Sequence, residues 1–212
     1  MRILLCLLLV FIPIHVANST PKAIVKLHQA ESLNVNQAEI DDVWQFVKKI
    51  THTDNITPPQ IFFISFNPIV AGKLWTDWQE RWKRRNGMKS NPSMNKFDGY
   101  AYWGTVVIQI NPDLFRGKNG PLSVVASMRH DGNYVIGHEM LHYVFGLKGV
   151  PGFLEHCIMD IGKFEESLIK HIYGTTIGTS SYKGICEKIP IEYIQCGIEQ
   201  VLGKSIDTTC YK

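Results

Sequence analysis

The chemistry and the fold of this chain are organised by the stretch Gly137-His138-Glu139-Met140-Leu141-His142-Tyr143-Val144-Phe145-Gly146. On a helix, His138 and His142 project from one face about one turn apart, because they are four residues apart. This separation suits two ligands of one Zn²⁺, each bound at about 2.0–2.1 Å. Glu139 lies at the edge of that face, where it can accept a proton from an activated water without being a ligand. The stretch therefore predicts a zinc site with Glu139 as its general base.

The neighbours of the two histidines indicate that this helix is buried. It is apolar on almost every side, through Met140, Leu141, Tyr143, Val144 and Phe145. The alternative is a surface helix that carries two unrelated histidines and a glutamate. Burial disfavours that alternative, because buried imidazoles and carboxylates are costly unless they are hydrogen-bonded or bound to a metal.

The segment 137–159 resembles the zinc-binding consensus and the Met-turn of the metzincin metallopeptidases, which are zincins. The resemblance rests on His138, Glu139 and His142, on Gly146, and on His156 with the following Cys157-Ile158-Met159. It implies an α+β, zincin-like single domain with a mixed sheet, an active-site helix and a helical C-terminal part. It also implies that the helix ends at Gly146, that His156 is the third zinc ligand, and that a tight turn places Met159 beneath the metal.

The third ligand has rivals, because the spacing is wider than the metzincin pattern. Gly146 follows His142 by four residues, and His156 follows Gly146 by ten. In a gluzincin arrangement the third ligand is instead a glutamate on a second helix, some twenty or more residues downstream. The rivals are Glu165 and Glu166 in that arrangement, and otherwise Glu155 or Asp160. The segment 147–153 holds two glycines and a proline, so it can reverse the chain and return His156 to the metal.

The first 19 residues are typical of a secretory signal peptide. Arg2 supplies the positive end, the segment 3–12 is apolar, and Ala17 and Ser19 are small residues at the cleavage positions. The apolar run is shorter than the ~20 residues that a membrane span needs. We therefore expect residues 20–212 to form one secreted or periplasmic domain without stable membrane insertion. A formal net charge of +3 is too small to indicate nucleic-acid binding.

Four cysteines follow the predicted signal peptide, an even number that suits disulfides in an exported protein. They are Cys157, Cys186, Cys196 and Cys210, and they allow three pairings. One possibility ties Cys157 to the C-terminal region and so stiffens the floor of the metal site. A ligand role for Cys157 is disfavoured, because catalytic zinc in exported proteins is rarely bound by thiolates.

The remaining elements are predicted from hydrophobic periodicity. Helices are expected over 31–50, 70–86, 164–173 and 187–202, and strands over 60–66 and 105–110. Asp131 is expected to cap the helix that holds His138. We interpret Trp75, Trp78 and Trp82 as packing on the sheet rather than gripping an anionic surface. Strands early and helices late indicate the α+β class, with 105–110 a candidate for the sheet beside the cleft.

The motif and the resemblance together predict an exported zinc-dependent endopeptidase that acts on peptides or proteins as a monomer. Glu139 accepts a proton from water at the zinc and passes it to the departing amine. Some metzincins add a tyrosine two residues after the methionine, but that position here is Ile161, so a group that assists the oxyanion is not identified. Two other classes remain open, an amidase acting on cell-wall peptide and an exported protein whose zinc is only structural.

Overall fold

A computed structural model describes residues 24–85, 87, 97–116, 131–176, 183–204 and 211. Its strands are β1 (Lys26–His28), β2 (Gln60–Phe63), β3 (Gly99–Ala101) and β4 (Val107–Ile110). Its helices are α1 (Gln37–Ile50), α2 (Pro68–Ala71), α3 (Lys73–Arg85), α4 (Gly132–Leu147), α5 (Glu155–Ile161), α6 (Phe164–Tyr173), α7 (Lys183–Cys186) and α8 (Ile191–Val201). The predicted signal peptide, residues 1–19, lies outside the described residues.

The four strands form one mixed sheet in the order β1-β2-β4-β3. Strands β1, β2 and β4 run parallel, whereas β3 pairs with β4 in the antiparallel direction. The strand predicted over 105–110 is therefore interior to the sheet, and the edge on its far side is the short β3. Together with the helices, this sheet confirms the α+β class.

Helix α4 lies at the centre of the molecule between the sheet and the other helices. Its N-terminus is capped as predicted, since the Asp131 side chain accepts hydrogen bonds from the backbone N–H groups of Asn133 and Tyr134. It contacts α1 and α6 on one side and β3 and β4 on the other. Helix α1 buries Ile40, Val43, Trp44 and Val47. Burial on both sides explains why α4 is apolar nearly all round.

Helix α3 packs its tryptophans against the sheet, which confirms the packing interpretation. The ring centroids of Trp78 and Trp82 lie 5.0 and 5.1 Å from that of Tyr102. Beneath them, Gln79 Nε2 donates to both Tyr102 Oη and Gln109 Oε1, each at 2.7 Å. The predicted helix over 70–86 is interrupted at Gly72, where a φ of +82° ends α2 before α3 begins.

The C-terminal helices cover the far end of α4 and are joined by a disulfide. Cys157 on α5 is bonded to Cys186 on α7, so the bond ties the segment after His156 to the C-terminal region. Cys210 lies outside the described residues. Helix α6 ends at Gly174 as predicted, with a φ of +70°. Among the described residues, no helix is both long enough and apolar enough to cross a bilayer.

One detail of the metzincin pattern is wrong for this chain, and another is shifted by one residue. Gly146 lies in the last turn of α4, which ends at Leu147, and the chain reverses at Gly149, where φ is +74°. Met159 does not lie on a turn, because it belongs to α5 together with His156. The Met159 side chain is fully buried in the core. The segment from Cys157 to Met159 is therefore part of a buried helix.

Candidate metal centre

Three imidazoles meet at the point where α4 faces the start of α5. His142 Nε2 lies 3.2 Å from His138 Nε2 and 3.2 Å from His156 Nε2. Two nitrogens bound tetrahedrally to one zinc at about 2.0–2.1 Å would lie about 3.3–3.4 Å apart. The ligand atoms of all three residues lie within 4.8 Å of one another. The separations therefore fit one metal ion, and the three predicted ligands come together.

The backbone between the two helices brings His156 to this point. Helix α4 supplies His138 and His142 from consecutive turns. After the helix, Val150 N donates to Phe145 O at 3.0 Å, and the left-handed Gly149 reverses the chain. Helix α5 then begins at Glu155, so His156 faces back towards α4 from its first turn.

Two of the rival ligands hold the far sides of the histidines instead. Glu155 Oε2 lies 2.5 Å from His142 Nδ1. Glu165 Oε1 lies 3.8 Å from His138 Nδ1 and also accepts a hydrogen bond from the Tyr134 hydroxyl. A carboxylate on one ring nitrogen fixes the tautomer and directs the lone pair of the other nitrogen towards a metal. Glu155 therefore orients the His142 imidazole, whereas Glu165 lies near His138 beyond hydrogen-bond distance.

The other two rivals lie apart from the histidine cluster. Within the residues that the structure describes, the metal-capable group comprises His138, His142 and His156 alone, without Asp160 or Glu166. Burial, reinforced by His156, lowers the pKa of His142 to about 3. Burial also lowers the pKa of His156. Imidazoles that resist protonation are in the state that binds metal.

Glu139 lies beside the cluster and is held by the edge strand. Its Oε2 accepts a hydrogen bond of 2.7 Å from the backbone N–H of Ala101 on β3. Burial raises the pKa of Glu139 to about 8, and the Ala101 hydrogen bond opposes this while Glu155 and Asp98 add to it. A divalent cation at the histidines would favour the ionised carboxylate, because an opposite charge lowers a carboxyl pKa. The charge pattern of the site therefore fits a cation.

Gly99 on β3 makes room for Glu139. A Cβ added at Gly99 would lie 2.7 Å from Glu139 Cγ and 2.8 Å from Val135 Cγ1. Only a glycine lets the edge strand approach α4 this closely, so Gly99 and Ala101 together fix the position of the carboxylate. Sequence reasoning missed both residues, because three-residue strands carry too little periodicity to detect.

The histidines and Glu139 open into a cleft of about 820 Å³. Its lining is Trp82, Phe97, Gly99, Tyr100, Ala101, Trp103, His138, Glu139, His142, Pro151, Gly152, Glu155 and His156. Burial, with smaller contributions from Glu139 and Glu155, raises the pKa of Tyr100. Three histidines that could hold a metal ion, a buried carboxylate and an open cleft therefore occur together.

The chain matches no known protein family, no curated protein and no solved structure.

Proposed function

We propose that this chain is an exported zinc-dependent endopeptidase, with His138, His142 and His156 as zinc ligands and Glu139 as general base. The observation that carries the proposal is the convergence of three imidazole nitrogens beside a buried carboxylate that lines the same cleft. In closed structural sites four protein ligands surround zinc, whereas catalytic sites have three and keep one position open. Three histidines and an adjoining cleft favour the catalytic kind.

Zinc is the metal that the donor set suits best. Imidazole binds zinc, copper, iron and nickel, and three histidines with an open position are a ligand set of catalytic zinc. Behind the histidines, Glu155 supplies to His142 the outer hydrogen bond that such sites need, and Glu165 places a second carboxylate 3.8 Å from His138 Nδ1. The Cys157–Cys186 disulfide is compatible with an oxidising compartment, where zinc sites of this kind and disulfides coexist.

The residues of the chain have distinct parts in the proposed reaction. A bound zinc ion supplies Lewis acidity, polarising a carbonyl and making water a stronger nucleophile at neutral pH. Glu139 accepts the proton that the attacking water loses and then donates it to the departing nitrogen. Ala101 N–H holds the Glu139 carboxylate at 2.7 Å so that it stays aimed into the cleft. Glu155 keeps the His142 imidazole in the ligand tautomer.

The edge strand is the feature that favours an extended peptide as substrate. Asn111 N donates to Asp98 O, and Tyr102 N donates to Val107 O, so the even-numbered residues of this segment pair with β4. The backbone groups of Gly99 and Ala101 therefore point away from β4. The Ala101 N–H is bonded to Glu139, so an added strand would pair with the other backbone groups of this edge. An extended peptide binds such an edge by adding a strand. This arrangement of α4 beneath an antiparallel edge also supports a zincin-like fold as part of the proposal.

The test compares Glu139→Gln with Glu192→Gln, an exposed control on α8. Zinc content is measured by atomic absorption, and turnover is measured on a library of quenched fluorescent peptides. We expect the unchanged protein and both variants to hold about one zinc each. We expect Glu139→Gln to lose about 10²- to 10⁴-fold in kcat/KM, the usual contribution of a general base. Full turnover in Glu139→Gln would reject the assignment of Glu139 as the general base.

Two outcomes would reject the peptidase itself. Hydrolysis of cell-wall peptide but of no library peptide would make the chain an amidase of another substrate class. Stoichiometric zinc without hydrolysis of either substrate, combined with unfolding on chelation, would make the metal structural.

A further inference from the structure

The cleft beside the histidines has aromatic walls that the proposed reaction does not use. Four aromatic side chains line it, namely Trp82, Phe97, Tyr100 and Trp103. They come from the end of α3 and from the segment around β3, so they face the metal ligands from the sheet side. Ligand sites are typically apolar and aromatic with a few polar groups, and the polar groups here are those of the metal site.

Trp103 is held in place by the active-site helix. A Cβ on Gly146 would lie 2.5 Å from Trp103 Cδ1 and 2.8 Å from its Nε1, so the indole lies directly against the glycine. The chain turns sharply here, since Thr105 N donates to Tyr102 O at 3.0 Å and Gly104 has a φ of +73°. Trp103 is nevertheless 54% exposed. A large indole face is thus fixed at the cleft without being buried by the protein.

The other three rings are held in place through Tyr102. Tyr100 stacks on Phe97 with centroids 6.0 Å apart, and it packs edge-on against Tyr102 at 4.9 Å. Trp82 also packs edge-on against Tyr102, at 5.1 Å. Tyr102 is buried, and its hydroxyl donates to Gln109 Oε1 at 2.6 Å. These contacts hold the rings in place before any ligand arrives, which reduces the entropy lost on binding.

The described part of the cleft lining offers no positive side chain to an acidic ligand. Its described lining contains no lysine or arginine, and its carboxylates are Glu139 and Glu155. With a divalent cation at the histidines, these two carboxylates balance its charge. An acidic side chain entering the cleft would lose water without gaining a cationic partner among these described lining residues, whereas an apolar ring would gain contact with the aromatic walls.

Resting on the zinc peptidase proposed above, we propose that these rings form a subsite for an aromatic or large aliphatic side chain adjacent to the cleaved bond. Trp103 is its specificity determinant, positioned by Gly146. The glycine in the metal-binding helix thus serves substrate selection, because its missing side chain is what admits the indole to the cleft wall.

The test measures binding rather than turnover. Calorimetry compares the hydroxamates of N-acetylphenylalanine, N-acetylglycine and N-acetylaspartate on the zinc-loaded protein. The hydroxamate group binds the metal in all three, so affinity differences report the side chain. We expect the phenylalanine compound to bind about 10- to 100-fold tighter than the glycine compound, the usual gain from burying a benzyl group. We expect the aspartate compound to bind no tighter than the glycine compound.

Three variants locate the effect. Trp103→Ala removes the indole, and Gly146→Ala displaces it while favouring the helix itself. Both should reduce the phenylalanine preference by about tenfold while zinc content and the circular dichroism spectrum stay unchanged. Gly184→Ala is the matched control, because a Cβ there meets nothing within 4 Å.

The outcomes separate this inference from the proposed function. Equal affinity for phenylalanine and glycine compounds, or a preference that survives both Trp103→Ala and Gly146→Ala, would overturn the subsite while leaving the zinc site intact. A phenylalanine preference that depends on Trp103 in a protein that cleaves no peptide would support the subsite and reject the peptidase. Absence of stoichiometric zinc would overturn both.

Discussion

Gly99→Ala should damage the site without removing any reactive group. The added Cβ would lie 2.7 Å from Glu139 Cγ and 3.1 Å from Glu139 Oε1. Restoring an ordinary carbon contact of about 3.5 Å requires a displacement of about 0.8 Å. Either Glu139 or β3 must move, and both movements lengthen the 2.7 Å hydrogen bond from Ala101 N–H.

A displacement of about 1 Å in a catalytic group costs on the order of 10²-fold in rate. We therefore expect kcat/KM of Gly99→Ala on quenched fluorescent peptides to fall by about 10²-fold. Overpacking should also lower the free energy of unfolding by about 1–3 kcal/mol. Zinc content should stay unchanged, because the predicted clashes involve Glu139 and Val135 rather than the histidines.

Gly184→Ala serves again as the control, since it adds the same methyl group in open space. Circular dichroism and thermal melting confirm that both variants are folded. A kcat/KM of Gly99→Ala within twofold of that of the unchanged protein, at full zinc occupancy, would show that Gly99 does not fix the position of Glu139. Loss of zinc from Gly99→Ala would also refute this prediction, since the lost activity would then result from damage to the histidine ligands and not from a displaced Glu139.

Three further predictions concern the metal and its supports. Glu155→Ala should lower zinc affinity about 10- to 100-fold, because His142 loses the carboxylate at its Nδ1. Competition with a chromogenic chelator measures this affinity, and an unchanged value would show that Glu155 does not support the metal ligands. When zinc is present at about 100 times its Kd, its removal by a chelator should lower the Tm measured by calorimetry by roughly 5–10 °C. A Tm that does not change on adding the chelator would argue against a bound metal. Replacing both Cys157 and Cys186 by serine should lower the free energy of unfolding in urea by about 3–4 kcal/mol, since the bond closes a loop with a separation of 29 residues; a loss below about 1 kcal/mol would contradict this.

The features that sequence reasoning predicted are those specified over short distances. The i, i+4 spacing of His138 and His142 and the capping carboxylate of Asp131 are local, and both are found as expected. The apolar periodicity of residues 31–50 correctly predicted α1, although the helix begins only at Gln37. Gly174 ends α6 because its backbone adopts a left-handed conformation that favours glycine.

The features that sequence reasoning did not predict depend on contacts between distant segments. Nothing local shows that Gly99 must lie against Glu139, or that Gly146 must lie against Trp103. Gly146 was therefore interpreted only as the end of a helix, although it is also the point where Trp103 approaches α4. Glu155 was a rival ligand for a similar reason, since sequence does not say which ring nitrogen a nearby carboxylate will face.

The separations along the chain bear on the order in which the site assembles. The contact between His142 and His156 spans 14 residues, whereas the hydrogen bond from Ala101 to Glu139 spans 38. A shorter loop closes at a smaller entropic cost and at a faster rate. We therefore expect a refolding chain to bring the three histidines together before the sheet edge docks on Glu139, so that the wall of the cleft is completed around a cluster that has already formed.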